Sequence, residues 1–246
     1  MTKILVTNDD GITTTGIAKL AQAMARIGEV VVVAPDREMS AISHALSLSK
    51  PLHVKEIQKN WFAVGGTPTD CVYLGLKSLA PDVDIVVSGI NKGANLGEDV
   101  HYSGTVAGAT EASILGKPAI AFSQILGDDP DLDRAANFAE ELTRQALNYD
   151  IGKRPLLNVN FPPCKPKGVR LTRLGVRHYE DTLTEKVDDA GNRTFLVAGT
   201  AVHYEQDKDT DCQVAEEGFI SVSPLQLDLS DYEAHVRMAS WDVFKG

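Results

Sequence analysis

Cysteine is scarce in this 246-residue sequence, and Cys71, Cys164 and Cys212 are odd in number and far apart. With no CxxC pair, neither a disulfide framework nor a thiolate zinc site organises the chain, and the usage suits a reducing cytosol. Long hydrophobic runs are also missing. The densest, residues 30–34, is far short of the roughly 20 apolar residues that a membrane span requires. The opening segment MTKILVTNDDG meets carboxylates by its ninth residue and so lacks the apolar centre of a secretory signal. A soluble, cytoplasmic protein is expected. Positive charge is in deficit: 24 Lys and Arg stand against 34 Asp and Glu, for a net charge of −10. Such a surface repels phosphate backbones and anionic lipids, so neither a nucleic-acid polymer nor a membrane is expected as a partner. Any anion this protein handles must be held by specific groups.

Three sequence signatures are absent as well. There is no GxxxxGK[ST] phosphate loop, no GxGxxG after the first apolar run, and no GxSxG elbow. These absences disfavour a P-loop enzyme, a dinucleotide-dependent oxidoreductase and an α/β-type serine hydrolase.

What is present is an alternation of two periods. Short β-branched runs occur at 3–7 (KILVT), 29–34 (EVVVVA), 84–88 (DIVVS), 118–122 (PAIAF) and 156–161 (LLNVNF). Continuous apolar runs bounded by turn residues predict strands buried on both faces, hence a parallel sheet. Helical stripes lie between them. Ile17, Leu20, Ala21 and Met24 fall on one helix face, and Val72, Leu76 and Leu79 follow Thr69-Asp70, read as an N-terminal cap. Residues 105–115 and 131–148 supply two further helices. The expected fold is α/β, a Rossmann-like, doubly wound, mostly parallel sheet. After Pro162-Pro163 the pattern changes to alternating segments at 169–174, 194–204 and 219–222, separated by DDAGN and an acidic stretch, with a final helix over 230–244. These predict hairpins or arms rather than further βαβ units, dividing the chain into a core of residues 1–165 and a C-terminal region of residues 166–246.

In an open α/β sheet, ligands bind at the carboxyl ends of the strands. Those positions carry Asn8-Asp9-Asp10-Gly11, then Asp36-Arg37 with Ser40 and Ser43, then Asn91-Lys92-Gly93-Ala94-Asn95, and Tyr102-Ser103-Gly104-Thr105 before a helix. Adjacent carboxylates repel unless a cation or hydrogen-bond donors compensate. One reading makes one acid a helix cap and the other a solvated charge. The other makes Asp9, Asp10, Ser40 and Asn91 an all-oxygen set for a hard cation, Mg²⁺, Mn²⁺ or Ca²⁺. Ser103-Gly104-Thr105 likewise reads either as an ordinary helix cap or as an anion site made from backbone N–H groups and the helix dipole. His44 and His101 lie near these segments as packing or surface residues; His178, His203 and His235 have no ligand spacing. Gly66-Thr67-Pro68-Thr69-Asp70 forms a rigid turn into a helix.

TNDDG at 7–11, VVAPD at 32–36 with Ser40, GTPTDCV at 66–72, VVSGIN at 86–91, NLGEDV at 95–100 and YSGTVAGA at 102–109 together resemble the SurE family, as do LNVNFP at 157–162 and GFISVSPL at 218–225. The resemblance covers essentially the whole chain. It implies a metal-dependent 5′-nucleotidase, active also on 3′-nucleotides and on short polyphosphate, that releases inorganic phosphate from nucleoside monophosphates. It also implies one divalent cation per subunit on Asp9, Asp10, Ser40 and Asn91, with Asp9 and Asp10 catalytic and phosphate held by Asn95, Ser103, Gly104 and Thr105. Arms exchanged within a homodimer or homotetramer follow from it too. The alternative is a non-catalytic nucleotide- or metal-sensing module on the same fold. Ala41 stands where the family usually has glycine, and Thr13-Thr14-Thr15 replaces a stretch that often carries Ala-Pro.

Overall fold

The computed structural model describes residues 1–127, 130–148, 152 and 155–244, with the side chains of 180–182 and 198–202 left aside. The five apolar runs form the centre of one sheet: β1 (Lys3–Thr7), β2 (Glu29–Pro35), β5 (Ile85–Lys92), β6 (Ala119–Gln124) and β7 (Leu156–Phe161). They run parallel in the order β2-β1-β5-β6-β7. Chain progression reverses direction at β1, which has β2 on one side and β5 on the other. That is the topological switch point where an open sheet leaves a crevice.

Both faces of these strands are covered, which explains their unbroken apolar sequences. Ile4, Val6, Val32, Ile85, Val87, Ile120 and Phe122 pack toward α1 (Thr15–Met24) and α4 (Leu132–Asn148). Leu5, Val31, Val33, Val86, Ala119 and Ala121 pack toward α2 (Pro68–Leu74) and α3 (Gly104–Ile114). Each fully buried aliphatic side chain contributes about 1.5–3 kcal/mol by leaving water. The predicted stripe holds: Ile17, Leu20, Ala21 and Met24 are all buried in α1.

Several details depart from the sequence reading. A hairpin of β3 (Val54–Gln58) and β4 (Trp61–Val64) extends the sheet beyond β2. Its outer strand, VKEIQ, is exposed throughout, so no apolar run announces it. The cap of α2 is Thr67 rather than Thr69-Asp70. Its hydroxyl accepts from Asp70 N–H while the Asp70 carboxylate accepts from Thr67 N–H, and Pro68 fills the first helical position. Val72 and Leu76 share an apolar cluster, but the last turn, Gly75–Leu79, widens to a π-helical one. Finally, part of the C-terminal region joins the large sheet. β11 (Ile220–Pro224) pairs antiparallel with β7, and β8 (Val169–Leu171) pairs parallel with β11, because Ile220 and Val222 need the apolar face beside β7.

The alternation around DDAGN is a separate hairpin, β9 (Arg177–Val187) with β10 (Arg193–Tyr204). α5 (Asp211–Glu216) leads back to the sheet. The predicted final helix is shorter: α6 (Tyr232–Met238) buries no residue and is followed by a single turn, Asp242–Phe244. Among the described residues, no helix is long and apolar enough to cross a membrane.

Candidate active site

Three strand ends and one helix start converge at the switch point. β1 delivers Asn8, Asp9 and Asp10. Asn8 Nδ2 donates to Gly11 O (3.0 Å) and to Thr14 Oγ1 (3.1 Å), fixing the turn that aims the two carboxylates. The segment after β2 brings Ser40 back over them, with Met39 N–H donating to Asp9 O (2.7 Å). Asn91 lies near the end of β5 and donates from Nδ2 to Gly93 O (3.1 Å). α3 points its N-terminus at Asp9 from the other side. A Cβ on Gly104 would lie 2.8 Å from Asp9 Cβ, so only glycine permits this approach.

Asp9 is 5% exposed. Burial, with the Asp10 charge added, pushes its carboxyl up to about 6, against the hydrogen bond that Thr105 donates. Asp10 is half-buried and its pKa is also raised, first by burial and then by Glu38; Lys92 N–H donates to it (3.2 Å) in opposition. Two adjacent carboxylates short of compensating charge are what a divalent cation relieves. Among the described residues there is no group of three or more His, Cys, Asp or Glu suited to a metal. A cation here is therefore confined to two carboxylates and neutral oxygens, the donor chemistry of hard ions. Ser40 Oγ donates to Glu38 Oε1 (2.6 Å), which leaves its lone pairs for a cation.

Asp9, Ser40, Asn91, Asn95 and Ser103 line one cavity of about 290 Å³. Five of the eight sequence-predicted residues thus line its wall, and Gly104 packs against one of them, Asp9. Asp10 opens onto a second cavity that shares Ser40. Thr105 differs. Its hydroxyl donates to Asp9 Oδ1 and is fully buried, so its side chain steadies the acid instead of facing the cavity. Ser103 caps α3 by accepting from Val106 N–H (3.1 Å), as any capping serine does, while also lining the cavity.

The structure adds residues that the sequence reading passed over. Asn95, 6% exposed, is held by its own main chain: Asn160 Oδ1 accepts from Asn95 N–H (2.8 Å) and Asn160 Nδ2 donates to Asn95 O (2.9 Å). Asn158 Nδ2 donates to the same carbonyl (2.7 Å), and Asn95 Nδ2 donates to Ser123 Oγ (2.8 Å). The signal was legible: two asparagines two residues apart on one face of an otherwise apolar strand have to bond something. Asp99 and Tyr179 also line the cavity, the latter brought by β9 and bonded through its hydroxyl to Asp99, which Arg177 also pairs. His44 Nε2 lies 2.9 Å from Glu111 Oε2, tying the Ser40 segment to α3. His101 is exposed and outside the cavity wall.

Comparison with known proteins accords with this geometry. The profile of a family described as "Survival protein SurE" matches residues 4–181. A 5′-nucleotidase SurE from Syntrophotalea carbinolica is 45% identical over 244 residues, covering 98% of this chain and 97% of the relative. One from Geotalea uraniireducens is 44% identical over 246 residues, covering 98% and 99%. The crystal structure of the SurE protein from Aquifex aeolicus superposes with a TM-score of 0.86 at 37% identity, covering 96% of this chain and 98% of that one.

Proposed function

The chain belongs to the SurE family, and from that premise we propose that it is a metal-dependent 5′-nucleotidase that hydrolyses nucleoside monophosphates to nucleoside and inorganic phosphate. The observation that carries the reading is the Asp9–Asp10 pair at the switch point: Asp9 packs against the N-terminus of α3 and, with Ser40, Asn91, Asn95 and Ser103, lines a cavity of about 290 Å³. A sensing module is not favoured, since the similar relatives are named for the enzyme activity over nearly their full length.

When bound by Asp9, Asp10, Ser40 and Asn91, a divalent cation (Mg²⁺, Mn²⁺ or Ca²⁺, one per subunit) supplies positive charge against the phosphoryl oxygens and the attacking water. The chain's own groups do the rest. Asn95, Ser103 and the Gly104–Thr105 backbone donate to the phosphate, and the dipole of α3 favours its charge. Thr105 holds Asp9 in place. The oxygen of water forms a bond to phosphorus as the bond to the nucleoside oxygen breaks, and the proton that the water gives up goes, on balance, to the departing nucleoside oxygen. The 3′-nucleotides and short polyphosphate share the phosphoryl end and are included as substrates.

The C-terminal region, residues 166–246, extends the core of residues 1–165 and builds a homodimer or homotetramer by exchange of its arms. In support, Leu183, Val187, Leu196 and Val197 of the hairpin are exposed, and α6 buries nothing within its own chain. A cytoplasmic location accords with three unpaired cysteines, two of them buried. Phosphate release from AMP, GMP, 3′-AMP and tripolyphosphate, with each cation in turn, tests the reading. Release from the nucleotides is expected, and none from any of them with any cation would overturn it.

A further inference from the structure

Residues 36–50, which carry Ser40 over the acid pair, form no helix or strand. Ser40 is exposed, and its hydroxyl bonds Glu38 on the same segment. Its place must therefore come from its neighbours. Two of these, Ala41 and Ser43, hold φ of 54° and 56°. Left-handed backbone is costly for residues other than glycine and persists only where the surroundings impose it. Those surroundings lie in one stretch of chain. Ser43 N–H donates to Tyr102 O (2.9 Å), and Ser43 Oγ donates to His101 O (2.6 Å). Ile42 packs at the start of α3, where its Cγ2 would stand 3.1 Å from a Cβ on Gly104. His44 Nε2 lies 2.9 Å from Glu111 Oε2, two turns further along the helix.

This last contact is the costly one to break. Glu111 is 8% exposed. A buried carboxylate needs a donor to meet it, and hydrogen bonds to carboxylates are among the stronger ones. Were the segment to lift away, Glu111 would be stranded, so the cost of opening falls at His44. We propose that His44 and Glu111 are positioning residues for Ser40: their bond fastens the segment to α3 and holds Ser40 over the acid pair before a cation arrives. The proposal rests on the reading of Ser40 as a cation ligand. Neither side chain lines a cavity at the acid pair, so the effect passes through Ser40 and not through contact with substrate. Because α3 begins at Ser103–Thr105, the same bond fixes the cation side of the site relative to the phosphate side.

Mn²⁺ titrated calorimetrically into the full-length, nucleotide-free protein reads the effect. His44→Ala is expected to weaken binding about tenfold, the lower end of what residues that orient a metal ligand contribute. His44→Gln, which keeps a donor at similar reach, is expected to stay within about threefold of native on the same scale. In a Ser40→Ala background, His44→Ala is expected to cost nothing further, because its route is gone. A loss that was merely structural would not depend on Ser40. Amide exchange in cation-free protein reads the fastening separately. Met39 and Ser43, whose N–H groups donate to Asp9 O (2.7 Å) and Tyr102 O (2.9 Å), are the reporters. Both are expected to exchange at least about tenfold faster in His44→Ala and at the native rate in His44→Gln. Native exchange at both amides in His44→Ala would overturn the assignment. So would native Mn²⁺ affinity in His44→Ala where Ser40→Ala has lost it, or an equal further loss in the Ser40→Ala background. If Ser40→Ala bound Mn²⁺ as tightly as native protein, or native protein bound none, the ligand reading would fail first and the positioning role with it.

Discussion

Asp9 concentrates the conflict on which the site depends. Its carboxyl is held at about 6 by burial and by Asp10, against an ordinary value of 3.8. Between those two values the folded chain keeps a proton that the unfolded chain releases, so this group's stabilising contribution is complete below pH 3.8 and is lost as pH rises through 6. The difference is about 3 kcal/mol. In cation-free protein, Asp9→Asn is therefore expected to raise the melting temperature at pH 7 but not at pH 4, while abolishing phosphate release. Melting curves across that range check the sign, and an equal gain at both pH values would contradict it. Cation affinity should fall below about pH 6 for the same reason, since binding displaces the proton. Asn160 acts through Asn95. Asn160→Ala is expected to lower kcat/KM by about 10², the scale set by an ångström of misplacement, while leaving cation binding at the native level by calorimetry. Ala41, the residue after Ser40, adopts φ of 54°, the left-handed conformation that favours glycine. Alanine there costs roughly 1 kcal/mol, so the backbone of this loop keeps the turn despite the substitution.

At the scale of elements, the site is a set of ends pinned to one another. Thr67 and Asp70 cap α2 and also hold the loop after Ser40, through Thr67 Oγ1 donating to Ala45 O (2.7 Å) and Ser47 N–H donating to Asp70 Oδ1 (2.8 Å). Asp211, fully buried, accepts from Gly97 N–H (2.9 Å) and Gly175 N–H (2.8 Å), which fastens the turn carrying Asp99 to the root of the hairpin. Asp211→Ala strands both donors, and a loss of about 3 kcal/mol is expected in denaturant unfolding. What was legible in sequence follows a physical line. Strands buried on both faces announce themselves by continuous β-branched runs, and helices by stripes, so β1, β2, β5, β6, β7, α1, α3 and α4 were all foreseen. Edge strands are not so marked: β3 is exposed throughout and depends on a neighbour already in place, while β8 lies within the alternating segment at 169–174 but pairs with β11 in the large sheet and not in a hairpin. Asp9, Asp10, Ser40 and Asn91 could be grouped from sequence because all lie at or after the carboxyl ends of apolar runs. Tyr179 could not, because only the register of the hairpin with the turn at Asp99 brings it there.

The whole molecule carries a net charge of −10, yet its site is built for an anion. The sum remains an argument against long nucleic acids as substrates, but the charge that matters is local. With a cation on the acid pair and the start of α3 opposite, the crevice at the switch point is electropositive within an acidic surface. The hairpin leaves Leu183 and Leu196 exposed, and α6 buries no residue. Leu183→Asp with Leu196→Asp is expected to shift the protein to monomer in size-exclusion chromatography while leaving the sheet's circular dichroism unchanged, and an unaltered elution position would remove the hairpin from the interface. If Asp9 and Asp10 hold a divalent cation, hydrolysis depends on that cation. This dependence is tested most directly by the rate of phosphate release from AMP after chelation and again after one cation is restored, in native protein and in Asp9→Asn. Activity is expected to be lost on chelation, recovered on restoration, and absent throughout in the variant. Undiminished release by chelated native protein, or recovery in Asp9→Asn, would contradict it.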